Sequence, residues 1–206
     1  MKLYHSQTSP YVRKCMFIAH HLGLADQIEK LPSAASPVNR DQTIIPSNPL
    51  GKVPTMITDD GTVLFDSRVI CEYLDQLGKG GFFPATGASR WRVLTEQALA
   101  DGILDAALLA RYEATLRPES LRWSEWMAGQ LDKINVGLAH IEKSFDASDD
   151  RVDIGRVSLG CALGYLDFRF GDLGWRSKCP KLGAWYDKFS KLPAKPTWVD
   201  QSSGSK

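Results

Sequence analysis

With 206 residues, 43% of them hydrophobic, the chain can fill one large domain or two smaller ones and bury roughly two-thirds of its unfolded surface. Its 25 Lys and Arg against 24 Asp and Glu leave a net charge of +1. Apart from Arg13-Lys14 no basic cluster supplies the footprint that a phosphate backbone requires, which excludes nucleic acid as a partner. No run approaches the about eighteen consecutive apolar residues of a membrane span, and Met1-Lys2-Leu3-Tyr4-His5 lacks a secretory apolar segment, so a cytoplasmic location without a membrane partner is expected.

Lys2-Leu3-Tyr4-His5 reads as a first strand. Ser9-Pro10 then opens a helix with the apolar face Val12, Cys15, Met16, Ala19 and Leu22, and Gly23 stands near its end. The order implies a βαβ start. Residues 32–50, rich in Pro, Ser and Asn, read as irregular, and Thr55-Met56-Ile57-Thr58 and Thr62-Val63-Leu64-Phe65 flank Asp59-Asp60-Gly61, a hairpin signal. Asp66-Ser67 precedes the periodic run Val69, Ile70, Tyr73, Leu74 and Leu77, which marks a helix from about Ser67 to Leu77.

Gly78, Gly80, Gly81 and Gly87 with Pro84 read as a flexible connector, not as a phosphate loop, because neither GxGxxG nor GxxxxGK[ST] occurs. Beyond it the signals are helical: residues 88–115 with Trp91, Leu94, Leu99, Ile103, Ala106 and Leu109, residues 119–146 with Leu121, Trp126, Leu131, Ile134, Leu138, Ile141 and Phe145, and a helix over 181–192. Between the last two lies Ile154–Phe170, apolar on nearly all sides, which is how a bundle's central helix reads. The expected organisation is therefore an α/β domain over 1–77, a linker over 78–87 and an all-helical domain over 88–206. Cys15, Cys71, Cys161 and Cys179 never form C-x-x-C, and the four histidines lack ligand spacing, so no metal is expected.

Ser9-Pro10-Tyr11-Val12-Arg13-Lys14, Asn48-Pro49-Leu50-Gly51-Lys52-Val53-Pro54, Asp66-Ser67 and Ala162-Leu163-Gly164-Tyr165-Leu166-Asp167 occur in an order and spacing that resembles the bacterial glutathione transferases over nearly the whole chain. The resemblance implies a thioredoxin-like N-terminal domain joined to an all-α C-terminal domain. It also implies a cytosolic homodimer, with glutathione as co-substrate held mainly by the first domain and a hydrophobic electrophile lodged between the two. Ser-Pro-Tyr-Val matches the glutaredoxin pattern Cys-Pro-Tyr-Cys with both cysteines lost, so a dithiol mechanism is ruled out there.

The chemistry asks for a thiolate, since the thiol's ordinary pKa lies near about 8.5 and the anion is the nucleophile. Ser9 sits where a hydroxyl can donate to that sulfur, just ahead of a helix N-terminus. A charge-assisted hydrogen bond of about 1.5–3 kcal/mol with roughly 0.3–1 kcal/mol from the dipole brings the thiol to neutrality or below. Thr8 and Tyr11 flank Ser9, and either hydroxyl could reach the sulfur; the same Ser9 also reads as a plain N-cap. Carried over from the resemblance, the Val53 backbone before Pro54 takes the cysteinyl N–H and C=O, and Asp66 and Ser67 take the γ-glutamyl end.

Lys52 could meet the glycyl carboxylate, with Arg40 and Gln42 as weaker versions of that reading. For the second substrate the choice falls on Tyr11, Arg111 and Tyr112, with Tyr165, Phe168 and Arg169 as further candidates; aromatics at helical spacing are more often core. Gly102 after Asp101 in mid-helix costs roughly 1 kcal/mol, which suggests close approach of a ligand or helix. Arg156 departs from the expected capping box and weakens its helix start unless it pairs with Asp149, Asp150 or Asp153. A glutathione-dependent isomerase or lyase, or a non-catalytic binding module of the same fold, are the alternative functions.

Overall fold

The computed structural model describes residues 1–192, which form two compact units, Met1–Phe83 and Pro84–Leu192. The helical half, expected over 88–206, is thus described as far as Leu192; its remainder lies outside the described residues.

In the first unit β1 (Lys2–His5), α1 (Pro10–His21) and β2 (Glu29–Pro32) make a βαβ segment whose strands run parallel, with Lys2 opposite Glu29 and His5 opposite Pro32. β3 (Thr55–Ile57) pairs antiparallel with β1, and β4 (Val63–Leu64) antiparallel with β3, giving the sheet order β2-β1-β3-β4. α2 (Ser67–Gly78) closes the unit and packs on α1. This is the thioredoxin-like arrangement. Its core joins Leu3, Met56, Cys15, Met16, Ile18, Ile70, Cys71 and Leu74, all buried.

β2 carried no strand signal, because Glu-Lys-Leu-Pro is exposed at three of four positions and its place depends on backbone pairing with β1. Arg13 and Lys14 are not a surface patch. Both are buried, Lys14 at 0% exposure, on a helix buried from Val12 through Ala19. The stretch read as a flexible connector is closely packed in its first half. A Cβ on Gly78 or Gly80 would come within 2.8 or 2.5 Å of Leu22, and the buried Asp75 carboxylate accepts the N–H groups of Phe82 and Phe83 at 2.9 and 3.0 Å.

The second unit is helical: α3 (Gly87–Thr115), α4 (Ser124–Ser144), α5 (Ile154–Arg169), α6 (Trp175–Lys178) and α7 (Pro180–Phe189). α5 is buried at every position from Ile154 to Leu166, as expected of a central helix, and α3 packs against both α4 and α5. The face of α3 differs from expectation. Alanines 100, 106, 107 and 110 are buried with Val93, Ile103 and Leu104, whereas Trp91 and Leu109 are exposed, because small residues admit two neighbouring helices where large ones cannot.

α4 starts at Ser124 instead of near 119, since Glu119–Leu121 forms a separate single turn after Pro118 and the Glu113 carboxylate accepts the Trp123 N–H at 2.8 Å. Gly102 meets no atom within 4 Å of an added Cβ, so no close approach to it exists among the described residues. Arg156 is compensated: its guanidinium donates to Asp149 at 2.6 Å and lies 3.4 Å from Glu96, while Asp153 caps the helix by accepting the Arg156 N–H at 3.0 Å. No helix among the described residues is long and apolar enough to cross a membrane.

Candidate glutathione site and the cationic cluster of the helical unit

The strand register brings three separated segments to one end of the sheet. Tyr4 at the C-terminal end of β1 lies opposite Thr55 at the start of β3, so the loop that leads to Ser9 and the residue Val53 leave the sheet at the same edge. Leu64 lies opposite Met56, and β4 therefore also runs toward that edge before the chain turns at Asp66 into α2.

Ser9 is the N-cap of α1, with extended backbone (φ −81°, ψ 121°) and Pro10 in the first turn. Its Oγ accepts the Val12 N–H at 3.3 Å, a long bond, and this leaves the hydroxyl proton to be donated elsewhere. The cap and the proposed thiol donor are thus the same half-buried atom in two uses. Thr8 Oγ1 lies 3.4 Å from Ser6 Oγ. Tyr11 is half-buried on the first turn of α1.

Val53-Pro54 is a cis peptide, and Gly51 two residues earlier occupies the left-handed region at φ 61°. The loop is held from behind. Buried Asn48 accepts the Leu50 N–H at 3.0 Å and donates to Thr55 Oγ1 at 2.9 Å, and Thr55 donates to the Lys52 carbonyl at 2.8 Å. Among the described residues no hydrogen bond occupies the N–H or C=O of Val53. Both remain open to an extended peptide backbone.

Lys52 is exposed, so its ammonium is free to sample solvent beside the loop. Arg40 instead donates to the Pro49 carbonyl, and Gln42 donates to the Arg40 carbonyl at 3.0 Å, which makes both of them braces of the loop.

Asp66 caps α2 by accepting the Arg68 N–H at 2.9 Å through Oδ1, and the Phe65-Asp66 peptide is cis. Ser67, at 2% exposure, begins the helix. One carboxylate oxygen, a buried serine and a helix N-terminus at a single point suit an ammonium and a carboxylate on the same carbon. Asn48 and Thr55 were missed from the sequence; the Asn-Pro turn was the available signal.

In the helical unit Arg111 and Tyr112 are half-buried on α3, and Tyr165 and Arg169 stand one turn apart on α5, Tyr165 fully buried. Burial pushes the Tyr112 and Tyr165 phenols up, opposed at both by the Arg111 charge and at Tyr165 also by Arg169. Burial and then Arg111 hold the Arg169 guanidinium below its ordinary value. The Arg169 Cζ stacks 3.9 Å from the centre of the Phe168 ring. Trp123 and Trp126 are exposed.

A thioredoxin-like unit with an open Val-cisPro backbone, followed by an all-helical unit, defines a two-domain, glutathione-transferase-type architecture. Residues 8–77 match the family model of the glutathione S-transferase N-terminal domain and residues 124–188 that of the C-terminal domain. The chain belongs to the glutathione S-transferase family. It is similar to the uncharacterized GST-like protein YibF of Escherichia coli K12, at 35% identity over 88% of this chain and 90% of that protein. Among solved structures, a glutathione transferase family member from Pseudomonas fluorescens Pf-5 with bound glutathione aligns with a TM-score of 0.90 at 46% identity, covering 94% of this chain and 95% of that one. A further structure from the same source, with bound S-(propanoic acid)-glutathione, aligns with a TM-score of 0.86 at 45% identity, over 94% of this chain and 96% of that one.

Proposed function

We propose that this protein is a glutathione transferase that binds glutathione in its thioredoxin-like unit, holds the sulfur as a thiolate and directs it at an electrophilic carbon of a small hydrophobic molecule. Ser9 donates its hydroxyl proton to the sulfur, and the N-terminus of α1 favours the anion. Val53 pairs with the cysteinyl backbone beside Pro54, Asp66 and Ser67 hold the γ-glutamyl ammonium and carboxylate, and Lys52 meets the glycyl carboxylate. The thiolate forms an S–C bond as the leaving group departs with its electron pair. Tyr11, Arg111 and Tyr112 serve the second substrate.

The observation that carries this reading is the convergence of Ser9, Val53 and Asp66 at one edge of the sheet, with the Val53 backbone unoccupied. Bound glutathione and S-(propanoic acid)-glutathione in the Pseudomonas fluorescens relatives support it. Exposed Phe65 and Val69 on the first unit and Trp91 on the second are surfaces that a second copy would cover, which supports a homodimer.

Retention on immobilised glutathione, followed by ultraviolet titration of the bound thiol, tests the reading. A thiolate signal appearing at or below neutral pH and moving back toward about 8.5 in Ser9→Ala is expected. No retention would sink the assignment, and an unchanged titration in the variant would remove Ser9 from its role.

A further inference from the structure

Four arginines of the helical unit are paired with carboxylates, whereas the half-buried Arg111 and Arg169 are not. Arg117 lies 2.7 Å from Glu113, Arg151 2.6 Å from Asp149, Arg156 2.6 Å from Asp149 and Arg176 2.8 Å from Asp167. Among the described residues neither Arg111 nor Arg169 has a carboxylate within ion-pair distance, and the Arg169 Nε is buried with no hydrogen-bond acceptor. Yet the two cations share one neighbourhood. They project from the C-terminal parts of α3 and α5, helices packed on each other with Glu96 against Gly155 and Arg156, and the Arg111 charge is felt at both Tyr165 and Arg169.

Two half-buried guanidiniums on packed helices cost free energy through mutual repulsion and lost hydration, and a bound anion would offset that cost. Half-buried Tyr112, next to Arg111, adds a hydroxyl donor, and the Phe168 ring stacks against the Arg169 guanidinium. Planar guanidinium forks match a carboxylate in two-point geometry, which a phenol or an ammonium cannot do.

We propose that Arg111 and Arg169, with Tyr112 next to Arg111, form a carboxylate-recognition site that selects electrophiles carrying an acidic group. The inference rests on the transferase reading above and names its substrate class. Its chemistry is recognition only, and the bond changes at sulfur stay as described.

Three measurements separate this from the parent reading. The first compares binding of S-(2-carboxyethyl)glutathione with neutral S-propylglutathione. The wild type should prefer the acidic conjugate by about tenfold or more, and Arg169→Gln and Arg111→Gln should each erase most of that preference. The second compares KM for 4-chloro-3-nitrobenzoate with that for its methyl ester, and the ratio should shift by a similar factor in both variants. In the third, 4-chloro-3-nitrobenzoate is titrated calorimetrically without glutathione, so that the anion site is judged even if the tripeptide does not bind.

Equal affinity of the wild type for both conjugates, or a preference that survives in the double variant, would overturn the proposal while leaving the transferase reading intact. Loss of affinity for glutathione itself in the variants would assign the arginines to the tripeptide and overturn it too. Arg169→Lys supplies the control for folding: it keeps the charge without the planar fork and should retain part of the preference.

Discussion

Arg156, at the first turn of α5, reaches back seven residues and lies 2.6 Å from Asp149, and through that contact a positive side chain is tolerated at the positive end of a helix. Asp149 also receives Arg151 at 2.6 Å, and Glu96 of α3 lies 3.4 Å from Arg156, so the loop before α5 is tied to two helices. Asp149→Asn leaves the largely buried Arg156 guanidinium without its main acceptor. A loss of about 1.5–3 kcal/mol is expected, read as a lower urea midpoint at unchanged slope. A midpoint equal to wild type would show that Glu96 and Asp153 alone suffice.

The same cluster predicts acid sensitivity. Hydrogen bonds from Arg151 first, then from Arg156, hold the Asp149 carboxyl well below its ordinary value of 3.8. The Trp123 N–H and Arg117 do likewise for Glu113. A depressed folded-state value means that the stabilisation is complete above the unfolded value and is lost as pH falls through the folded one. Thermal midpoints should therefore be flat on this account above about pH 5 and fall steeply below about pH 4, and Asp149→Asn should flatten that acid limb. An acid limb of wild-type steepness in the variant would move the effect to other carboxylates.

Gly160 sits where α5 meets α7, and a Cβ there would overlap the ring of Phe189, itself stacked 5.0 Å from Trp185. Alanine normally gains about 1 kcal/mol over glycine inside a helix. Overpacking against the Phe189 ring, itself backed by Trp185, outweighs it, so Gly160→Ala should destabilise by about 1–3 kcal/mol. Gly102→Ala, with no neighbour within 4 Å, should instead stabilise by roughly 0.5–1 kcal/mol. Calorimetric melting of the pair gives opposite signs, or the packing account fails.

What the sequence revealed and hid follows from the kind of signal each element carries. Ser9-Pro10 and Asp66-Ser67 were legible because capping is written in one or two residues, and the hairpin because Asp59-Asp60-Gly61 admits few other conformations. β2 is hidden because an exposed edge strand has no apolar alternation, and Trp91 and Leu109 carry the signal of a buried face although they are exposed, because a hydrophobic residue is not bound to be inside. In the site, Ser9, Val53 and Asp66 were recognisable by type, while the Asn48-Thr55 support and the Arg111-Arg169 juxtaposition depend on partners 7 and 58 residues apart, which no local pattern encodes.

Asn48 offers a test of the loop apart from the ligand. Its side chain bonds Leu50 and Thr55, and Thr55 bonds the Lys52 carbonyl next to Val53. Asn48→Ala leaves the buried Thr55 hydroxyl short of one partner and should cost about 1–3 kcal/mol of stability. Glutathione affinity should fall by about tenfold through the displaced Val53 backbone, with the pH of thiol ionisation unchanged. If affinity holds while stability drops, the loop needs no such support.

The proposed function gives the N-cap Ser9 a second role on the same oxygen, and substitutions separate the two. Ser9→Ala removes the acceptor for the Val12 N–H together with the donor to sulfur, so it should cost about 0.5–2 kcal/mol and raise the bound thiol's ionisation pH. Ser9→Asp keeps a strong N-cap acceptor but has no proton to give at neutral pH and adds a negative charge beside the sulfur. Its melting temperature should stay near wild type while the thiol ionises at higher pH than in Ser9→Ala. Were Ser9→Asp to bind glutathione as readily ionised as the wild type does, the hydroxyl would be only a cap, and Thr8 or Tyr11 would be the group to substitute next.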